Sequence, residues 1–291
     1  MPEQPEMIEL AARDQTLGVL PLCGGGLGFW RRGAHDLLRP AAVRDEPLAL
    51  GCFPLVPYSN RIRHGRFRFD GDEIRLPLNF GDHPHSIHGH GWQAPWQVTS
   101  RRPAGVELTY RHRADAWPFD YEARQGIALS DRGLTLDLSV TNRAERRMPA
   151  GLGFHPYFAG AGAARLTAEV DGVWHTDHEV MPTEWTALPA RWNLPAGIAV
   201  AGLAADNLFT NWRGAALIER PDLGLRLTLR AGAPFRHLVV YAPLGESFFC
   251  VEPVSHVTDA LNAPSAADSG LEVLAPGESL EARLRIDVET G

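Results

Sequence analysis

Several protein classes leave marks that this 291-residue sequence lacks. It has 28 Lys+Arg against 35 Asp+Glu, a formal net charge of −7, and no Lys/Arg block. The concentrated basic face that nucleic acid or an anionic membrane requires is therefore missing, and a small neutral partner fits better. Cys23, Cys52 and Cys250 are odd in number, widely spaced and form no CxxC pair, so neither a disulfide framework nor a zinc ribbon is suggested and a reducing compartment is expected. No long apolar run occurs. The stretch Met1-Pro2-Glu3-Gln4-Pro5-Glu6 is acidic and proline-broken where a secretory leader would be basic and then apolar. A soluble, cytoplasmic protein is the expectation. The run Gly24-Gly25-Gly26-Leu27-Gly28 has neither GxGxxG spacing nor a GK[ST] nearby, which argues against a nucleotide loop and for a tight turn or a close backbone approach. No internal repeat of fixed period is present, so a propeller or solenoid is not expected.

What the sequence has in excess is glycine and proline, 29 and 23 residues, about 18% of the chain against a usual ~12%. Many turns imply many short strands, and period-two alternation of apolar and polar residues supports this along the chain. At the C-terminus Leu280, Ala282, Leu284, Ile286 and Val288 alternate with charged residues. Leu134 to Val140 and Leu225 to Leu229 behave the same way. Phe67 and Phe69 alternate with Arg66 and Arg68, Asp70-Gly71 supplies a turn, and Ile74, Leu76 and Leu78 resume the pattern, which predicts a hairpin. A second hairpin joins Tyr121–Leu129 to Leu134–Val140 through residues 130–133. Composition does not shift along the chain, and Pro189 to Pro195 reads as a loop rather than a linker. The expectation is an all-β chain forming one domain over residues 1–291, a large antiparallel β-sandwich.

Three segments carry candidate chemistry. His83, His85, His88 and His90 lie in Asp82-His83-Pro84-His85-Ser86-Ile87-His88-Gly89-His90; HxH on a strand turns two imidazoles to one face, as metal sites do, but no acidic ligand follows and Pro84 and Gly89 interrupt the strand. Metal ligation, a structural loop and sugar contact are all open readings of that cluster. His155, in Gly153-Phe154-His155-Pro156-Tyr157-Phe158, is held extended by the following proline. An apolar setting would tune it as a proton donor near the working pH. Glu252 sits in the apolar run Phe248-Phe249-Cys250-Val251-Glu252-Pro253, where an unpaired buried carboxylate is costly and hence a candidate general base. Trp92, Trp96, Trp117 and Trp212 lie near these segments and could stack on a sugar, although most tryptophans of a sandwich are core.

Read in order, the segments resemble the galactose mutarotase-like superfamily, in particular its bacterial aldose 1-epimerase branch. Asn60-Arg61-Ile62 with Gly65 and Phe67 is similar to an NRI-x-x-G-x-F segment, and Ile87-His88-Gly89 to an LHG motif. Met148-Pro149 with Gly153 to Phe158 resembles MP...GxHPYF, Asp206 to Phe209 resembles D-x-x-F, and Val251 to His256 with Asp259-Ala260-Leu261-Asn262 resembles EPV(S/T)H...DAxN. The family often has a second glycine where this chain has His90.

The resemblance implies a supersandwich fold, a monosaccharide substrate, and neither cofactor nor metal. It also implies Glu252 as general base, His155 as general acid, and Arg61, His88 and Asp206 as contacts to sugar hydroxyls. Anomerisation opens a hemiacetal, which needs a base at the C1 hydroxyl and an acid at the ring oxygen. The acidic limb of the pH profile is then expected to report the carboxylate and the basic limb the imidazolium. A hexose-6-phosphate 1-epimerase would need a basic phosphate grip, for which Arg61, Arg63, Arg66 and Arg68 are the candidates; Arg66 and Arg68 look like a solvated strand face. A non-catalytic sugar-binding module and a cupin-like metalloenzyme are also compatible with these residues.

Overall fold

A computed structural model describes residues 6–42, 46–264 and 269–291. The N-terminal stretch from Met1 to Pro5, read above for a leader, lies outside them. Among the described residues there is no helix of seven or more residues, and no helix long and apolar enough to cross a membrane. Two large antiparallel sheets, of twelve and nine strands, make up most of the structure.

The nine-stranded sheet follows the alternation in the sequence. Tyr121–Ser130 and Gly133–Asn142 pair as a hairpin around Asp131-Arg132, and Ser279–Thr290 and Leu225–Ala231 add to it in turn. Leu134, Leu136, Leu138, Leu284, Ile286 and Val288 enter the core. Thr109, Arg124, Ser139 and Glu281 form one row of the opposite face, and Glu107, Gly126, Asp137 and Arg283 the next, because directly paired residues of antiparallel strands point the same way. The predicted hairpin Arg66–Phe69 with Asp72–Arg75 is also present, with Phe67 buried and Arg66 and Arg68 exposed.

The twelve-stranded sheet is buried on both faces over its central strands. From Phe248–Val254, Phe249 and Val251 join the core between the sheets. Cys250 and Val254 instead join a second apolar cluster with Tyr157, Leu208, Val239, Phe53, Leu55, Ile87 and Trp92. Phe53 to Trp92 come from the irregular segment between residues 50 and 96, which covers the sheet's outer side. Close backbone approach holds that cover in place. A Cβ on Gly24 would sit 2.0 Å from the Trp92 carbonyl oxygen, and one on Gly89 2.3 Å from that of Val56; both have φ near +65°. Only glycine meets both demands without strain. All three cysteines are buried.

Candidate active site

Register on the twelve-stranded sheet assembles the site. Leu208, Val239 and Glu252 form one cross-strand row, and Asp206, Tyr241, Cys250 and Tyr157 the neighbouring one. Both rows face the covering segment. Glu252 thus stands on the outer face of a strand whose other face is core, and its side chain is only 2% exposed. His155 lies between the strands Gly153–Phe154 and Tyr157–Ala159, outside regular pairing as Pro156 leads one to expect. Its backbone N–H donates to the Phe53 carbonyl. Its ring stacks on Tyr157 at 4.5 Å and 11°, with Phe53 at 4.8 Å and His88 edge-on at 5.3 Å. The result is a His155 Nε2 to Glu252 Oε1 distance of 3.5 Å.

Arg61 and His88 come from the cover and are fixed by a reciprocal clamp. Asn60 and His88 are both left-handed, φ 58° and 62°. The Asn60 N–H donates to His88 Nδ1 and the His88 N–H to the Asn60 carbonyl, each at 3.0 Å. With Nδ1 accepting, neutral His88 carries its proton on Nε2 and is a donor there. Asn60 Oδ1 accepts from the Arg61 N–H and from Arg61 Nη1, while Arg61 Nη2 stands 3.9 Å from Asp206 Oδ2. Arg61 Nε is buried with no protein partner. A buried donor of this kind is costly unless a ligand meets it. Asp206 is the most exposed of the five residues and marks the solvent side.

Burial dominates the electrostatics. It raises the Glu252 carboxyl well above the ordinary range, helped by Asp206 and opposed by Arg61. Burial also lowers His155 to about 3, with the Arg39 cation adding to it. The sequence reading expected an apolar setting to bring His155 close to the working pH; removal from water carries it well past that point. Both shifts favour the neutral forms, a carboxylic acid beside a neutral imidazole, with one proton shared by a coupled pair. Burial lowers His88 as well, and raises Asp206.

Other expectations divide. Of the four clustered histidines only His88 joins Glu252 and His155. His85 accepts from the His64 N–H and faces Glu179 at 3.2 Å, and His90 stacks on His112. Trp92, Trp96, Trp117 and Trp212 are all core residues at 5% exposure or less, so they offer no sugar platform. Arg63 faces Asp259, 3.7 Å away. Sequence reasoning missed Arg39, whose guanidinium lies 3.8 Å over the Tyr157 ring, on the stack that ends at His155. It also missed Asn60, Tyr157 and Cys250, although each adjoins or lies within a motif it quoted.

The rest of those motifs braces the site. Ser255 Oγ accepts from the Leu152 N–H. His256 Nε2 accepts from the Ser59 N–H at 3.0 Å, its Nδ1–H meeting the Val257 carbonyl. The Asp259 N–H donates to the Arg61 carbonyl, and Asp259 Oδ1 accepts from the Arg63 N–H. One end of EPVSH supplies a carboxylate to the site, and the other anchors the loop that presents Arg61.

The aldose 1-epimerase family model matches residues 6–287, and the chain belongs to that family. An uncharacterised Escherichia coli K12 protein, YphB, is 33% identical over 270 residues, covering 90% of this chain and 91% of its own. Among solved structures, an Escherichia coli K12 protein provisionally described as an aldose 1-epimerase superposes with a TM-score of 0.90 at 30% identity, covering 98% of this chain and 99% of its own. A galactose mutarotase-like protein of Clostridium acetobutylicum gives 0.89 at 22% identity, covering 98% and 95%, which is a likeness of fold.

Proposed function

We propose that the protein is an aldose 1-epimerase of free aldoses, with Glu252 and His155 as the proton-transfer pair and Arg61, His88 and Asp206 as hydroxyl contacts. The observation that carries this reading is the buried 3.5 Å approach of the His155 ring to the Glu252 carboxyl. The two oxygens on C1 of a cyclic sugar, the hydroxyl and the ring oxygen, are a matched pair of targets for two such groups. In the ring-opening form the pair is carboxylate and imidazolium. Glu252 takes the C1 hydroxyl proton, His155 protonates the ring oxygen, the C1–O5 bond breaks, and the aldehyde is released with both protein groups neutral. Rotation about C1–C2 and reclosure with roles exchanged gives the other anomer.

Burial favours the neutral pair both before the cycle starts and beside the open sugar, so the charged pair that acts on the closed ring is a transient form that gives up its charge as the C1–O5 bond breaks. Arg61 and Asp206 hold hydroxyls while C1 is free to turn, which is the contribution of positioning. The steps are proton transfers alone, so activity is expected to survive exhaustive chelation.

Free sugars are favoured over 6-phosphates because Arg66 and Arg68 project into solvent and Arg63 is engaged by Asp259. The test is NMR anomer exchange over a panel of free and phosphorylated aldoses. Acceleration with higher kcat/KM for free sugars supports the reading. A clear preference for glucose 6-phosphate replaces it with a phosphate-specific epimerase, and sugar binding without acceleration makes the protein a binding module.

A further inference from the structure

The proton-transfer pair has a third neighbour that the epimerase reading leaves unused. Cys250 stands in the row beside Glu252 on the same strand and the same face. One ring nitrogen of His155, the Cys250 sulfur and a Glu252 oxygen all lie within 4.8 Å of one another, and all three residues are buried. We propose that His155, Cys250 and Glu252 form a binding site for a thiophilic divalent cation such as zinc or cadmium, and that its occupation shuts off proton transfer. The inhibitory part of this rests on the epimerase reading; the binding part does not.

Donor chemistry, spacing and charge all favour such an ion. Nitrogen, sulfur and oxygen from three side chains match the three protein donors of a zinc site that keeps one exchangeable ligand. In a tetrahedral site with bonds of roughly 2.0 to 2.3 Å, adjacent donors stand about 3.3 to 3.8 Å apart. The His155–Glu252 separation of 3.5 Å already falls there, and the 4.8 Å limit on the remaining distances leaves about 1 Å of closure, within side-chain movement. Thiolate and carboxylate together balance the charge of one divalent cation; the S–H proton, and any proton the carboxyl holds, pass to solvent as metal–sulfur and metal–oxygen bonds form, so a buried site accepts the ion without acquiring net charge. A hard cation such as magnesium gains little from sulfur and nitrogen.

A second cluster of similar composition, His90, His112 and Asp115, lacks this property. Its two imidazoles stack face to face, 4.5 Å apart and 16° from parallel, so no ion can lie in both ring planes. Their Nδ1 atoms meet the hydroxyls of Tyr121 and Tyr110 instead.

Cadmium chloride titrated into the full chain in weak buffer, with ultraviolet absorbance, proton release and anomer exchange read together, tests the proposal. The expected results are a sulfur-to-cadmium charge-transfer band at one equivalent, release of at least one proton per ion, and inhibition that a chelator reverses. Magnesium should produce none of these. Cys250→Ser and Cys250→Ala, each checked for a wild-type thermal transition, should lose the band and weaken inhibition about tenfold or more. Cys52→Ser should retain both. A wild-type protein without the band, or a band and inhibition that persist in both Cys250 variants, overturns the proposal. If the protein does not accelerate anomer exchange at all, the band and proton count still decide the binding site, and the epimerase reading fails separately.

Discussion

The two large sheets use the same backbone pairing for opposite ends. The nine-stranded sheet buries one face and solvates the other, and its outer charges neutralise one another: Glu122 meets Arg111, Arg124 and Arg143, and Asp137 meets Arg283. A groove of about 870 Å³ runs over that face, yet most of its charges are already paired. The twelve-stranded sheet buries both faces, and its outer face holds Glu252 and His155 with their pKa values displaced in opposite directions. The proposed chemistry therefore uses polar groups that are few, dry and incompletely partnered, rather than many and satisfied. Size of a groove is a poor guide beside that criterion.

This contrast predicts where substitutions matter, and how much. His155→Asn should lower kcat by about two orders of magnitude with sugar affinity largely kept. Combined with Glu252→Gln it should lose much less than the product of the single losses, as groups acting as one unit do; multiplicative losses would mean the two act apart. The pH profile sharpens the same point. Because burial lowers His155 and raises Glu252, the acidic limb follows protonation of the imidazole and the alkaline limb loss of the carboxyl proton, the reverse of the labels the sequence suggested. A broad plateau between the two limbs is expected from steady-state rates, and a narrow optimum would contradict it.

Arg61→Ala and His88→Ala should weaken sugar affinity as well as lower the rate, each by roughly tenfold, since a hydrogen bond to a charged or buried donor contributes about 1.5 kcal/mol. Wild-type kinetics in both would remove the hydroxyl-contact assignment.

A smaller effect concerns stability. His237 is buried on the site face with an unpartnered Nδ1, and burial lowers it to about 4. Its unfolded form binds a proton near pH 6.5, so its contribution is intact above that value and is lost as pH falls from about 6.5 through about 4. In the steepest part of that window, near pH 5, His237→Gln should reduce the slope of unfolding free energy against pH by about one proton, or about 1.4 kcal/mol per pH unit. Parallel denaturation curves for the two proteins would show that the imidazole is not excluded from water. Smallest of all, Arg283→Ala on the solvated sheet should cost no more than about 1 kcal/mol and leave anomer exchange unchanged.

The same contrast governs what could be read from the sequence. Alternation located the half-solvated strands with little error, Ser279–Thr290 and both hairpins included, because one polar face imposes period two. Phe248–Val254 loses that signal, since Cys250 and Val254 are as buried as Phe249 and Val251. There the single charged residue in an apolar run was the clue that singled out Glu252, which the structure places beside His155. Arg61, His88 and Asp206 were legible only through the family resemblance. Arg39 was not legible at all. Its meeting with Tyr157, and that of Ser59 with His256, join residues 118 and 197 positions apart, and no local pattern encodes such a contact. The sugar-stacking role considered for four tryptophans failed for a related reason: composition cannot tell a core indole from an exposed one, and Trp185, 48% exposed on an edge strand, drew no notice.

The account rests on Glu252 working as a base from a buried face, and NMR exchange between α and β anomers measures that directly. Glu252→Gln keeps the size of the side chain and most of its hydrogen bonding while removing the proton acceptor. With an unchanged thermal transition and largely retained sugar affinity, it should slow enzyme-dependent α-to-β exchange by about 100-fold or more relative to wild type. Exchange at close to the wild-type rate in that folded variant would contradict the mechanism.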